Sequence, residues 1–301
     1  MAHTHDNVGP NGRNILISVL LNGIITLAQF IGGIIANSLS LISDAIHNLS
    51  DTLAIAISYI AYRVGTRQPD TKRTFGYKRI EILAGLLNAT VLIAISIYLV
   101  FEAIERFQQP EVIKGKLMFI VATIGLLANL ISVILLHKDA SRNLNMRAAY
   151  LHLISDTLSS VGVIGGSLLI MYYDVYWIDP LLTILISLMI LRGSWSIIKE
   201  TVNILMEASP QEVSVEEIQQ YVEAFNEVDN IHHIHLWRIA DESIHLQFHV
   251  DFHQDLQLSK VDGIRKSLES SIEQHFNIQH ITIQPEYNSC DNKETIHPHA
   301  H

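Results

Sequence analysis

The chain has 301 residues, of which 49% are hydrophobic and only 17% are charged, and its formal net charge is −10. A composition this apolar and this poorly charged excludes an ordinary soluble domain. The single cysteine, Cys290, excludes an intramolecular disulfide and a thiolate metal cluster within one chain.

Charged residues and histidines are distributed unevenly on the two sides of residue 205. Residues 1–200 hold 15 Lys/Arg and 13 Asp/Glu, whereas residues 201–301 hold 5 and 17, together with 11 of the 16 histidines. Neither part shows the basic patch that nucleic-acid binding requires. The predicted domains are a His-containing tail over 1–14, a membrane domain over 15–205, a soluble α+β domain over 206–288 and a His-rich tail over 289–301.

The membrane domain contains six apolar segments, each near the ~20 residues that a membrane-spanning helix requires. They run over Ile15–Ala36, Leu39–Tyr62, Ile80–Phe101, Leu117–Leu136, Ala148–Tyr172 and Ile178–Ile198. The loops after the second and fourth segments carry an excess of Lys and Arg, whereas the first and last connections carry none. The sequence therefore predicts a six-helix transmembrane bundle with both termini and the acidic domain in the cytoplasm.

A His and an Asp four residues apart recur in the second and fifth apolar segments, as His47/Asp51 and His152/Asp156. Positions i and i+4 share one face of a helix, so two such helices would present two imidazoles and two carboxylates to one point. This ligand set suits a tetrahedral Zn²⁺ site. Each Asp costs roughly 2.5–3.5 kcal/mol at the centre of a membrane helix, which favours a functional role over a polar network that only joins helices.

Asp44 lies three residues before His47 and shares its helix face. Two interpretations remain open for this carboxylate. It is either an entrance or exit group on a cation path, or a solvated residue near the membrane interface.

The soluble part has the alternation of a small α+β domain. The predicted elements are a helix over Val213–Phe225, strands over Ile231–Ile239 and Ile244–Phe252, a helix over Ser259–Phe276 and a strand over Ile278–Gln284. The order αββαβ predicts a ferredoxin-like layer of helices on one face of a sheet.

Histidines in these strands are candidate metal ligands. Strand alternation predicts that His233 and His235 point to one face and His232 to the other. Pairing of the first two strands would bring His232 near His249, with Glu286 from the last strand as an oxygen ligand. The alternative is that these are ordinary surface histidines.

The six helices, the repeated His-x-x-x-Asp and the αββαβ domain resemble the cation diffusion facilitator family, and within it the bacterial zinc, cadmium and cobalt resistance branch. Thr74–Glu81 (TFGYKRIE) and His232–Trp237 (HHIHLW) match motifs of that branch. The resemblance implies a homodimer in the bacterial inner membrane that exports Zn²⁺ from the cytoplasm in exchange for protons, with Cd²⁺ and Co²⁺ as further substrates. It also implies a zinc site in the cytoplasmic domain, to which His280 would contribute, and a charge pair between Arg79 and Glu207.

Exchange of metal for protons has a simple physical basis. Metal binding requires neutral imidazole and ionised carboxylate, so protons and metal compete for the same atoms near the reference histidine pKa of about 6.5. Two other classes remain as alternatives. A membrane metal sensor would bind zinc without transport, and an intramembrane zinc hydrolase would need an open coordination position and a general base, for which no His-Glu-x-x-His is present.

Overall fold

A computed structural model describes residues 12–65, 67–137, 144–240, 243–288 and 295, and for some helical residues, Asp51 and His152 among them, it describes the backbone alone. The chain divides into two compact units. One comprises residues 1–59 and 87–198, and the other comprises 60–86 and 199–301. Both predicted tails lie almost entirely outside the described residues, including Cys290.

Six long helices account for most of the described residues up to residue 205. They are α1 (Gly12–Ala36), α2 (Leu39–Gly65), α3 (Arg79–Gln108), α4 (Gly115–His137), α5 (Leu144–Tyr173) and α6 (Ile178–Leu205). Each has between 23 and 30 residues, which at 1.5 Å per residue gives about 35–45 Å. The six helices follow the six predicted segments in order.

Length and composition identify α3 and α6 as the helices, among the described residues, that are able to cross a membrane. Shorter apolar stretches occur at Gly23–Ala36 and Gly115–Ile131. Large apolar side chains on α3 and α6 are exposed, as in Leu87, Phe101 and Trp195. An exposed apolar surface of this extent is typical of contact with a membrane or with another protein. That all six helices cross a membrane stays a prediction.

The turn between α1 and α2 consists of Asn37 and Ser38, as predicted. Asn37 has a φ of 59° and its N–H donates to the Ile34 carbonyl, so it ends α1 in the left-handed conformation. The buried Asp179 of α6 then caps α2, accepting hydrogen bonds from the Leu39 N–H (2.8 Å) and from the hydroxyls of Ser38 and Ser40 (both 2.6 Å). The Asp179 carboxylate therefore has a structural role, which is to cap the N-terminus of α2.

The α+β domain has the predicted order: α7 (Val215–Glu223), β1 (Val228–Ala240), β2 (Ser243–Phe252), α8 (Leu258–Phe276) and β3 (His280–Glu286). Strand β2 is central, antiparallel to β1 and parallel to β3. A parallel pair needs a crossover connection, and α8 supplies it. The two helices and the sheet share one apolar core that includes Ile218, Phe248 and Leu268.

Candidate metal-binding sites

His47 of α2 and Asp156 of α5 lie side by side in the first unit. The His47 Nε2 is 3.3 Å from the Asp156 Oδ1, and the two side chains are 24% and 6% exposed. Both line a cavity of about 340 Å³ bounded by α2, α3, α5 and α6. Ser159 and Ser194 supply its other polar side chains, and the rest of its lining is mostly apolar.

Asp51 and His152, the other two members of the predicted quartet, have side chains outside the described part of the chain. Their backbones belong to α2 and α5, one helical turn from His47 and Asp156 respectively. The four-ligand site therefore stays a prediction, of which the structure brings two members together.

Asp44 is buried, with 2% of its surface exposed, so the interpretation of a solvated residue is wrong. Its carboxylate accepts hydrogen bonds from the Gln29 Nε2 and the Ser159 hydroxyl, both at 3.1 Å. The Gln29 carbonyl oxygen in turn accepts from the Asn48 amide at 3.3 Å. These bonds join α1, α2 and α5 beside the His47/Asp156 pair, while a place for Asp44 on the cation path stays a prediction.

Gln29 fits into this group because Gly125 of α4 has no side chain. A Cβ at residue 125 would lie 2.2 Å from the Gln29 Nε2, closer than any real contact. Sequence reasoning missed Gln29, although a glutamine in an apolar segment is a signal of the same kind as an aspartate there.

In the α+β domain, His232, His233 and His249 form a cluster whose ligand atoms lie within 4.8 Å of one another. The Glu286 carboxylate joins them, with one oxygen 3.3 Å from His232 Nε2 and the other 2.8 Å from His249 Nδ1. Neither His232 Nε2 nor His249 Nδ1 makes a hydrogen bond within the described residues. Three imidazoles and a carboxylate are a ligand set that fits Zn²⁺.

The prediction that His233 points away from His232 is wrong. His232 pairs with His249 and His235 with Gln247, so two residues of β1 face one residue of β2. This β-bulge is made by His233 itself, whose φ of 50° lies in the left-handed region. The bulge interrupts the alternation, and the rings of His233 and His249 have centroids only 4.8 Å apart.

Asn230 orients the first of these ligands. Its side-chain oxygen lies 3.1 Å from the His232 Nδ1, while its amide donates to Glu223 at 3.2 Å. Because the Asn230 amide nitrogen donates to Glu223, the Asn230 oxygen accepts from His232 Nδ1, and this tautomer leaves the His232 Nε2 as a donor atom for a metal. Metal-bound histidines are usually fixed in this way by a partner on the second nitrogen.

The structure does not bring His280 to this cluster. In the parallel register His280 pairs with His245 and Glu286 with Asp251, and the rings of His245 and His280 are 4.6 Å apart. Trp237 stacks on His245 at 5.4 Å, and Phe75 approaches it edge-on. Burial, with smaller effects from His280 and Lys78, lowers the pKa of His245 to about 4.

Arg79 and Glu207 form the expected charge pair, at 2.8 Å. Both side chains are substantially exposed, 40% and 60%, so the pair adds little stability. Its predicted role in linking the membrane and cytoplasmic halves stays a prediction.

Comparison with known families gives two matches that together span most of the chain. Residues 15–206 match the cation efflux transmembrane domain, and residues 210–288 match the cytoplasmic domain of cation efflux proteins. The two matched regions meet between α6 and α7.

Several bacterial proteins are similar over nearly their whole length. The zinc transporter ZitB of Pectobacterium atrosepticum is 37% identical over 97% of this chain and 91% of its own. The cadmium, cobalt and zinc/H(+)-K(+) antiporter of Bacillus subtilis is 37% identical over 98% and 95%. The metal cation efflux system protein CzcD of Cupriavidus metallidurans is 38% identical over 96% and 91%.

Proposed function

The chain belongs to the cation efflux family, and from this premise we propose that it exports Zn²⁺ from the cytoplasm in exchange for protons, with Cd²⁺ and Co²⁺ as further substrates. Its relatives are efflux transporters, so it is not an enzyme. The observation that carries the proposal is the 3.3 Å approach of the His47 Nε2 to the Asp156 Oδ1 at a cavity between helices. The names of the relatives support zinc, cadmium and cobalt as cargo.

The transport site consists of His47, Asp51, His152 and Asp156. Two nitrogen and two oxygen donors complete a tetrahedral shell for Zn²⁺, whereas Mn²⁺ and other harder ions favour more oxygen ligands. Asp44 lies beside this site and is held by Gln29 and Ser159. It serves as the next carboxylate on the path of the ion.

Exchange follows from competition between protons and metal for the same atoms. Zn²⁺ binds when the imidazoles are neutral and the carboxylates ionised, and protonation from the opposite side releases it. Alternating exposure of one midplane site to the two sides of the membrane converts an inward proton gradient into outward metal flux. The protein works as a homodimer in the bacterial inner membrane, with both termini in the cytoplasm.

The cytoplasmic domain holds a second zinc site, made of His232, His249 and Glu286 with His233 as the fourth donor. Zinc bound there would stabilise whichever arrangement of the domain it binds more tightly. His280 is left out of this site because it lies against His245.

The experiment is zinc uptake into proteoliposomes across an imposed pH gradient, with a pH-sensitive dye to follow protons. Asp156→Asn keeps the size of the side chain and removes its charge, and it is expected to reduce zinc uptake at least a hundredfold. Leu158→Ala, on the same helix and 65% exposed, is the matched control and should transport at the wild-type rate. Unchanged zinc uptake by Asp156→Asn, or zinc uptake that does not depend on the pH gradient, would contradict the proposal.

The second candidate function is a membrane metal sensor, and the cytoplasmic His cluster is the observation in its favour. The same vesicles distinguish the two functions. A sensor would bind zinc in proportion to the protein present and would accumulate none in the lumen.

A further inference from the structure

Residues 72–77, in the loop between α2 and α3, form one wall of a cavity of about 630 Å³ in the second unit. Ile80 and Leu83 at the start of α3 form another wall, and Trp237 of β1 contributes a third. A volume of this size falls within the range that holds small ligands. The metal sites described above use none of these residues.

The cavity is basic on the side of the loop. Lys72 and Arg73 line it, and neither forms an ion pair within the described residues. Arg79 also lines it, but its charge is compensated by Glu207 at 2.8 Å. Lys72 and Arg73 therefore face a partly open cavity, with the Asp70 carboxylate as an electrostatic partner of Arg73.

The loop is held in shape by Asp70. Its carboxylate accepts hydrogen bonds from the backbone N–H groups of Lys72 (2.7 Å) and Arg73 (2.8 Å) and from the Tyr77 hydroxyl (2.8 Å). The Tyr77 hydrogen bond, with the two backbone bonds, lowers the pKa of Asp70. The Arg73 guanidinium lies over the Tyr77 ring, 4.8 Å from its centroid. These contacts hold the loop in one conformation, in which Lys72 and Arg73 are exposed.

The remaining walls are apolar and partly open. Leu83 is 51% exposed and Phe75 is 55% exposed. Leu83 lies on the first turns of α3, one of the two helices long and apolar enough to cross a membrane. The cavity therefore combines basic groups, aromatic rings and the beginning of an apolar helix surface. An anionic phospholipid has a phosphate that suits the basic groups and acyl chains that suit the apolar surface.

We propose that this cavity binds the headgroup of an anionic phospholipid, with Lys72 and Arg73 on the phosphate and the acyl chains along Ile80 and Leu83. The inference rests on the proposed function insofar as that function sets α3 in a membrane. Lys72 and Arg73 would repel a free metal ion. A free phosphate would make no contact with the apolar wall formed by Ile80 and Leu83.

The test uses the full-length protein in detergent and follows its thermal unfolding midpoint as lipid is added. Phosphatidylglycerol is expected to raise the midpoint in a saturable manner, whereas phosphatidylcholine and glycerol phosphate leave it unchanged. Lys72→Gln/Arg73→Gln should weaken the apparent affinity for phosphatidylglycerol roughly tenfold or more. Lys114→Gln/Lys116→Gln removes the same charge from two exposed lysines elsewhere and should bind as the wild type does.

A charge-preserving variant guards against a folding defect. Lys72→Arg/Arg73→Lys should keep the phosphatidylglycerol response, since it keeps both cations. Equal stabilisation by glycerol phosphate would show a soluble-phosphate site instead, and equal stabilisation by phosphatidylcholine or unchanged affinity in the Gln variant would overturn the inference. Zinc uptake by the same protein distinguishes failure of the lipid site from failure of the proposed function. A protein that transports zinc but is not stabilised by phosphatidylglycerol contradicts only the lipid site.

Discussion

His233 shows how one residue can change the composition of a site. Its left-handed backbone makes the bulge in β1, and the bulge turns its imidazole toward His249. A non-glycine residue in this conformation is uncommon and often found where function constrains the backbone. Three histidines with one carboxylate complete a tetrahedral shell, whereas without His233 the shell would need water or another group.

We expect His233→Ala to weaken zinc binding at the cytoplasmic site by roughly tenfold or more, because one of four donors is lost. His235→Ala, on the same strand and exposed, is the matched control and should leave the affinity unchanged. The measurement is competition with a chromogenic chelator, made in the Asp156→Asn background so that the transport site does not contribute. Equal affinities in the two alanine variants would remove His233 from the ligand set.

His245 is a buried histidine that stays neutral in the folded protein. Its pKa is lowered to about 4, with burial as the main cause, and Lys78 and His280 are the titratable groups that face it. The unfolded chain binds a proton near the reference pKa of about 6.5, so folding stability is lost as pH falls from 6.5 toward 4. Above pH 6.5 this residue adds no pH dependence.

We therefore expect His245→Phe, measured without metal, to lose less stability than the wild type between pH 6.5 and pH 4. Phenylalanine keeps a ring against Trp237 and cannot be protonated. Thermal unfolding midpoints across this range provide the measurement, and His235→Phe should follow the wild-type curve. Parallel curves for wild type and His245→Phe would show that folding does not lower the pKa of His245.

At the scale of helices, close approach depends on residues without side chains. Gly166 of α5 lies where a Cβ would be 2.5 Å from Leu182 of α6, which agrees with the helix-packing role expected of small residues in membrane domains. Gly125 has a different role, because the space beside it holds the Gln29 amide that donates to Asp44. Helix packing and the buried carboxylate are thus linked through α4.

Gly125→Ala is expected to displace the Gln29 amide and to leave Asp44 with one hydrogen bond fewer, at a cost of about 1–3 kcal/mol for a buried polar group. Gly165→Ala is the matched control, because a Cβ there meets nothing within 4 Å. Thermal unfolding in detergent should show a lower midpoint for the first variant alone. If Gly125→Ala unfolds with the wild type, the Gln29–Asp44 bond does not stabilise the bundle.

At the scale of the whole molecule, the proposed homodimer and the proposed transport site can be tested separately. His47 and Asp156 lie 3.3 Å apart among α2, α3, α5 and α6 of one chain. We therefore expect that removing one ligand of the proposed transport site leaves assembly intact.

We expect the wild type and Asp156→Asn to have the same mass in detergent, twice the 33.9 kDa of one chain. Light scattering coupled to size exclusion, corrected for bound detergent, measures this mass. A monomer in both proteins would contradict the homodimer, and a monomer in the variant alone would tie assembly to the transport site.

The sequence by itself determined the features that depend on local spacing. Six apolar runs predicted six helices, Asn37 and Ser38 predicted the first turn, and the αββαβ order followed from changes of period. His47 and Asp156 were predicted to meet because the same i, i+4 spacing of His and Asp occurs in two apolar helices. A polar or charged side chain inside such a helix costs free energy unless it has a partner.

Only the tertiary structure decided which residues distant in the chain, or irregular in backbone, join each site. A bulge has no reliable signal in residue types, so strand alternation assigned His233 to the wrong face. Strand register placed His280 opposite His245 and not opposite His249, and helix packing brought Gln29 to Asp44 through the space left by Gly125. Spacing along one element is set by its own geometry, whereas contacts between elements depend on how all of them pack.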